Sequence, residues 1–319
     1  MKALTFSRFG DASVLDYSEV PMPALQAGEV LVQMRAIGLN YADIYRRKGD
    51  YHLKGQPPYI AGYEGSGVVV ESNGVEGLSN GDRIAFADVP FAQAQFVAVP
   101  LANAIALPDD IGFELAAALL LQGMTAHYLC NDSHSVQSGE FVVVHAASGG
   151  VGQVLTQLCR AKGARVIGLT SSRAKEDAIR KIGAEAVFNL RDDWQRQVRS
   201  FTGQGADVVY DSIGSTLMDS IDVARECGHI VFYGMSGGNP PLVNPRTLMD
   251  SSKTLTGGDL WSYLNTRDQR TQRANALFAL IRQGQLILAE PKRFGLEQGR
   301  QAHEHLESGK SMGKVLLMP

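Results

Sequence analysis

Residues 141–152 read FVVVHAASGGVG. Phe141–His145 is an apolar run of strand length, rich in β-branched valine. Small residues follow at once, and Gln153–Lys162 then carries the spacing of a helix. A buried strand that passes through a tight turn into a helix is the opening of a dinucleotide-binding unit. The core pattern is Ala147-x-Gly149-x-x-Gly152, with Ala in place of the usual first glycine. A residue without a side chain lets the backbone approach a pyrophosphate, and Gly152 lets helix and strand pack closely. The helix start then offers unpaired N–H groups and a partial positive charge to the phosphates. Ser148, Gly149, Gly150, Val151 and Gly152 are therefore candidate cofactor-binding residues.

Strands and helices alternate outward from this turn. The sequence predicts strands over Arg165–Leu169, Ala186–Asn189, Asp207–Tyr210 and His229–Tyr233. Helices are predicted over Ala174–Lys181, Trp194–Phe201 and Thr216–Ala224. That order makes a doubly wound parallel sheet. Ligands of such sheets gather at the carboxyl ends of strands, which nominates Gly234, Met235 and Ser236. The second strand ends in Ser171-Ser172-Arg173-Ala174-Lys175. An NAD site usually places a carboxylate there for the ribose 2′-OH. Two hydroxyls and two cations suit a 2′-phosphate instead, so Ser171, Ser172, Arg173 and Lys175 point to NADPH. His145, at a strand end beside the turn, reads as a buried, hydrogen-bonded histidine.

Residues 1–100 have another texture. Short runs at Ala3–Ser7, Val30–Ile37, Gly67–Glu71, Arg83–Phe86 and Ala94–Val99 are separated by turns such as Ser79-Asn80-Gly81-Asp82. Together they suggest a small barrel or curled sheet. Phe113–Cys130 reads as a helix with one glycine interruption. After residue 265 come a helix (Gln269–Gln283), an extended stretch (Lys292–Leu296), a helix (Leu296–Ser308) and a last strand (Lys314–Leu317), a tail expected to return to the first domain. The fold class is α/β, with domains at 1–122 plus 266–319 and at 123–265.

The balance of the chain narrows its partners. A net charge of −3 with no basic stripe argues against nucleic acid and anionic membranes. No apolar run approaches the roughly 18 residues of a membrane span. The three cysteines, Cys130, Cys159 and Cys227, form no CxxC pair, which speaks against a disulfide framework or zinc knuckle. The amino terminus lacks the apolar run of a signal peptide, so a cytoplasmic location is expected. In His303-Glu304-His305 the two histidines are two apart on a predicted helix. They do not form HExxH and read as a solvated face.

Several segments together resemble the medium-chain dehydrogenase/reductase superfamily, in its zinc-free quinone oxidoreductase (zeta-crystallin-like) branch. They are Ile37–Tyr51 (IGLNYADIYRRKGDY), Gly62–Val70, QGMT at 122–125, the AASGGVG turn and Ser311–Leu316. The likeness covers nearly the whole chain. It implies a GroES-like β-domain plus a Rossmann domain, NADPH as cofactor, and a quinone or activated alkene bound in the cleft between the domains. It also implies an oligomer, a dimer or a tetramer, with a homodimer as the expectation. Zinc alcohol dehydrogenases of the same superfamily hold catalytic zinc with Cys, His and Cys. The corresponding positions here are Asn40, Tyr63 and Leu121, which cannot make such a site.

The resemblance further implies that Asn40, Tyr45 and Tyr51 line the substrate. Asn40 would donate to a carbonyl, and the tyrosines would stack on a flat ring or offer an OH. Thr125 would lie near the nicotinamide, and Lys314 would reach the cofactor phosphates. Gly257-Gly258-Asp259-Leu260 would touch the cofactor amide and a dimer edge. Asp43 and Glu64 read as structural carboxylates, and Tyr41 and Tyr63 as pocket-shaping residues. One departure stands out: Leu190 occupies the place where relatives often carry a Tyr beside the 2′-phosphate. The sequence thus supports NADPH-dependent quinone reduction first and enone or alkenal double-bond reduction second. A cofactor-binding regulatory or RNA-binding protein is a third reading, of another class.

Overall fold

The computed structural model describes residues 1–319. The chain forms two compact units. The first comprises residues 1–121, 264–278 and 289–319, and the second residues 122–263 and 279–288. The tail after residue 289 therefore belongs to the first unit, whereas 279–288, at the end of helix Arg267–Arg282, belongs to the second.

In the second unit six parallel strands lie in the order Ala186–Asn189, Arg165–Thr170, Phe141–Val144, Ala206–Asp211, Ala224–Phe232 and Thr254–Gly257. Numbered from the 141–144 strand, that order is 3-2-1-4-5-6, the Rossmann arrangement. The order reverses beside the 141–144 strand, so its carboxyl end and the turn after it form the switch point where such sheets take ligands. Val143, Ile167, Leu169, Val209 and Ile230 fill the core, with Trp194 and Val198 of helix Trp194–Thr202 packed over them. The near-continuous apolar strands are what a sheet covered on both faces requires.

The first unit holds a seven-stranded, mostly antiparallel sheet and a three-stranded one. Its spine is the long strand Glu29–Leu39, which pairs antiparallel with Glu64–Glu71, with Phe96–Pro100 and with the last strand, Val315–Met318. In the last pairing Val315 faces Leu39, so Lys314 comes opposite Asn40. That register sets the last strand beside the residues that lead into Asn40.

The β-rich reading of residues 1–100 misses the short strands Asp16–Glu19 and Tyr59–Ile60 and, more consequentially, helix Tyr41–Lys48. Its ends are well specified. Asp43, at the third helical position, accepts the N–H of Asn40 at 2.9 Å, the reciprocal arm of a capping box. Gly49 closes the helix in the left-handed conformation, φ +86°. Arg46, Arg47 and Lys48 fill the last turn, where the helix dipole favours cations.

The 303–305 cluster also differs from expectation. Helix Gly299–Glu307 buries Gly299, Ala302, His303 and Leu306, a stripe at helical spacing. His303 is therefore fully buried rather than solvated, while Glu304 is exposed. Arg47 Nη1 donates to His303 Nδ1 at 3.1 Å, and His303 Nε2 lies 3.3 Å from Gln93 Oε1. Arg47 Nη2 also pairs with Glu307 at 2.7 Å.

Candidate active site

The glycine turn is built by close approach. A Cβ on Gly152 would lie 2.3 Å from the Ala146 carbonyl oxygen and 2.8 Å from Ala147 Cα. Both are backbone atoms, so only glycine lets helix Gly150–Ala161 start this near the strand. A Cβ on Gly150 would lie about 2 Å from the Gln122 side-chain amide. Gln122, not singled out from the sequence as a cofactor-site residue, thus packs directly on the first residue of the dinucleotide helix. Thr125, three residues on and also buried, shares that face of helix Phe113–Tyr128. Gly149 is the N-cap, and Ser148 and Val151 flank it, half-buried. A glycine cradle at a helix start is the fit a pyrophosphate needs.

Behind the turn lies a buried polar chain. Ser220 donates to Asp211 Oδ2 at 2.6 Å, because a carboxylate can only accept. His145 Nε2, 3.0 Å from Ser220 Oγ, is then the protonated nitrogen. Burial pushes the imidazole below its ordinary range and keeps it neutral, against the pull of Asp211. Burial alone would raise Asp211. Hydrogen bonds from the Ser220 hydroxyl and the N–H groups of Gly214 and Ile213 counter that and favour the carboxylate, which lies below its usual range. His145 is therefore a satisfied core histidine at Nε2 that braces the strand end.

Ser171 and Arg173 are exposed at the end of the second strand, and Ser172 and Lys175 are half-buried. Burial lowers the Lys175 ammonium from its ordinary value. Arg173 Nη2 lies 3.3 Å from both oxygens of Asp192. Leu190 packs against the core of the unit. Gly234, Met235 and Ser236 follow the 224–232 strand and are half-buried. Ser236 N and Oγ both donate to the Ser212 carbonyl, at 3.1 and 3.0 Å, which stitches two loops together at the carboxyl edge.

In the first unit, Glu64 is the centre of a buried network. Its Oε2 accepts from Lys314 Nζ at 2.5 Å and from Asn40 Nδ2 at 2.8 Å, and its Oε1 accepts from Leu121 N at 2.7 Å. Lys314 also donates to Asn40 Oδ1 at 2.8 Å. Glu64 is 0% and Lys314 2% exposed. Gly38 makes room for the carboxylate, because a Cβ there would meet Glu64 Oε2 and the Ala117 carbonyl. Lys314 was expected to reach cofactor phosphates; the strand register turns it inward to Glu64 instead. Asn40 Nδ2, expected to donate to a substrate carbonyl, is likewise engaged by Glu64.

The helix that Asn40 opens carries part of an aromatic row. Tyr41 and Tyr45, one turn apart on the 41–48 helix, have ring centroids 5.8 Å apart, and Tyr45 meets Tyr51 edge-on at 6.4 Å. All three are half-buried. The buried Arg46 guanidinium lies 3.5 Å from the centroid of Tyr63 and 5.0 Å from that of Tyr51, and it pairs with Asp43. Burial lifts Asp43 to about 6 despite Arg46 and the Asn40 N–H. Burial also raises the phenols of Tyr41 and Tyr63. The row offers flat apolar surface with phenolic donors, which suits a planar, electron-poor ring. Nowhere do three His, Cys, Asp or Glu side chains converge as metal ligands.

Comparison with known proteins joins the two halves. Residues 26–164 match the alcohol dehydrogenase GroES-like domain, and residues 150–277 match the zinc-binding dehydrogenase domain. The chain is 36% identical to a quinone oxidoreductase of Salmonella typhimurium, over 99% of each chain. It is 34% identical to a 2-haloacrylate reductase of Burkholderia, over 95% of this chain and 94% of that protein. The crystal structure of Escherichia coli quinone oxidoreductase complexed with NADPH superposes with a TM-score of 0.96 at 33% identity, covering all of both chains. The GroES-like unit and the six-stranded Rossmann unit are those of the medium-chain dehydrogenase/reductases, and the chain belongs to the quinone oxidoreductases of that superfamily.

Proposed function

We propose that this protein is an NADPH-dependent quinone oxidoreductase that works without zinc. The observation that carries the reading is full-length likeness to quinone oxidoreductases, one of them solved with NADPH, joined to a glycine cradle of the right shape. The 148–152 turn would hold the pyrophosphate, and Ser171, Ser172, Arg173 and Lys175 the 2′-phosphate. Thr125 and the Gly234-Met235-Ser236 edge would position the nicotinamide end.

Bound NADPH supplies the hydride. Tyr45 and Tyr51 stack against the quinone ring and offer a hydroxyl hydrogen bond to the oxygen that gains charge. Asn40 acts one layer back: Lys314 and Glu64 fix its amide, and Asn40 in turn fixes the start of the helix that carries Tyr41 and Tyr45. Lowering the pKa of an alcohol is the task that would need a metal, and reduction of a quinone does not pose it. We further propose a cytoplasmic homodimer. No helix is long and apolar enough to cross a membrane. Light scattering on the purified chain tests the dimer.

The direct test is NADPH oxidation with 1,4-benzoquinone, beside an NADH control and with or without a zinc chelator. Chelator-insensitive turnover that prefers NADPH is expected. Loss of activity on chelation would overturn the zinc-free mechanism. A second reading, reduction of an activated carbon–carbon double bond, is favoured by the 2-haloacrylate reductase likeness. Turnover with 2-haloacrylate or 2-alkenals but not with quinones would select it.

A further inference from the structure

The 2′-phosphate residues are not alone at the end of the second strand. The loop after strand Ala186–Asn189 is tied to that end by the Leu190 N–H, which donates to the Thr170 carbonyl at 2.8 Å. This brings Asp192 to Arg173, with both carboxylate oxygens 3.3 Å from Nη2. Of the two adjacent carboxylates, Asp193 has a structural task. It caps helix Trp194–Thr202 by accepting the Arg196 N–H at 3.2 Å, and it pairs with Arg196. The Asp192 side chain makes no cap, and its carboxylate bonds only to Arg173. Nothing in the fold of the loop needs that charge.

We propose that Asp192 is a specificity-determining residue that competes with the 2′-phosphate for Arg173 and so holds down the preference for NADPH over NADH. The inference rests on the reading of residues 171–175 as the 2′-phosphate site. A phosphate arriving there must take the guanidinium from Asp192 or share it with a neighbouring negative charge. NADH, with a 2′-hydroxyl, does neither. Arg173 and Asp192 are 78% and 38% exposed at the side chain, so solvent screens the pair and either partner can move. Leu190 reinforces the effect, because it packs into the core and offers the phosphate nothing in exchange. The arrangement suits an enzyme that accepts both reduced dinucleotides with a graded preference rather than one that excludes NADH.

The test is Asp192→Asn, which keeps size and shape and removes the charge. Michaelis constants for NADPH and NADH are measured with one quinone at low salt, and adenosine 2′,5′-bisphosphate and AMP are titrated as competitive inhibitors. Release of an exposed ion pair predicts that KM for NADPH and Ki for the bisphosphate fall about two- to fivefold relative to NADH and AMP. The gain should shrink as salt rises. It should shrink as well in an Arg173→Ala background. An unchanged NADPH/NADH ratio in Asp192→Asn, with Arg173→Ala still raising KM for NADPH, would overturn the role of Asp192 and leave the phosphate site standing. If neither variant changes the ratio, the phosphate site falls with it.

Discussion

His303→Gln should blunt the loss of stability in mild acid. In the folded protein burial, aided by the neighbouring Arg47 guanidinium, pushes the His303 imidazole from 6.5 down to about 3. Its Nδ1 accepts from Arg47, so a second ring proton would set a donor against a donor and a cation against a cation. The unfolded chain has no such conflict. Between pH 7 and 5 it takes up most of a proton at this residue while the folded state takes up none, so stability falls with pH. The linkage amounts to about 2 kcal/mol over that interval. Asp43 works in the other direction. Its folded value, about 6, lies above the unfolded 3.8. The folded state therefore binds that proton first on acidification, a gain of about 1 kcal/mol over the same range. Whatever the total response of the wild type, the variant should therefore lose about 2 kcal/mol less between pH 7 and 5. Glutamine can mimic the neutral ring, its Oε1 accepting from Arg47 and its Nε2 donating to Gln93. Urea unfolding followed by circular dichroism at both pH values measures each increment. All other titrations cancel in their difference. Parallel pH responses in the two proteins would refute the buried, neutral His303.

Lys314→Met should cost about 3–5 kcal/mol, because it strands the Glu64 charge in the protein interior. The double variant Lys314→Met/Glu64→Gln should recover most of that loss, since Asn40 can flip its amide to accept from the new glutamine. A double variant no more stable in thermal melts than the sum of its parts would contradict an ion pair. Gly152→Ala should lower stability by about 1–3 kcal/mol, because its methyl would run into the Ala146 carbonyl. The displaced turn should also raise the Kd for NADPH about tenfold, equivalent to about 1.4 kcal/mol, read by fluorescence titration. Normal binding by that variant would place the pyrophosphate elsewhere.

The second unit was the more legible because its signals are local. Phe141–Val144, the glycine turn and the alternation after it all report on near neighbours, and predicted elements such as Ala186–Asn189 and Trp194–Phe201 fall within a residue of the observed ones. A covered parallel sheet needs apolar strands whatever else the chain does. Helix Tyr41–Lys48 escaped because its sequence, YADIYRRK, hides two arginines on the inward face beside Ile44. Those arginines are buried only because Asp43, Glu307, His303 and the rings of Tyr51 and Tyr63 wait for them, and the two partners of Arg47, His303 and Glu307, lie far along the chain. Polar residues read as surface until their partners are known.

The same reasoning explains His303 and Lys314, but with different remedies. For His303 a local signal existed: residues 299, 302, 303 and 306 form one helical stripe, and its small and apolar members already place the histidine inside. Whether 303 and 305 share a face does not decide which face of the helix is buried. For Lys314 no local signal exists. Its direction follows from the pairing of Val315 with Leu39, a contact between segments far apart in the sequence. That pairing sets an ammonium against Glu64 and Asn40 at the start of the helix bearing Tyr41 and Tyr45. The last strand is thus both the closing edge of the first sheet and a support of the proposed substrate platform. Disturbing its register should impair the platform even where no side chain that touches substrate is changed.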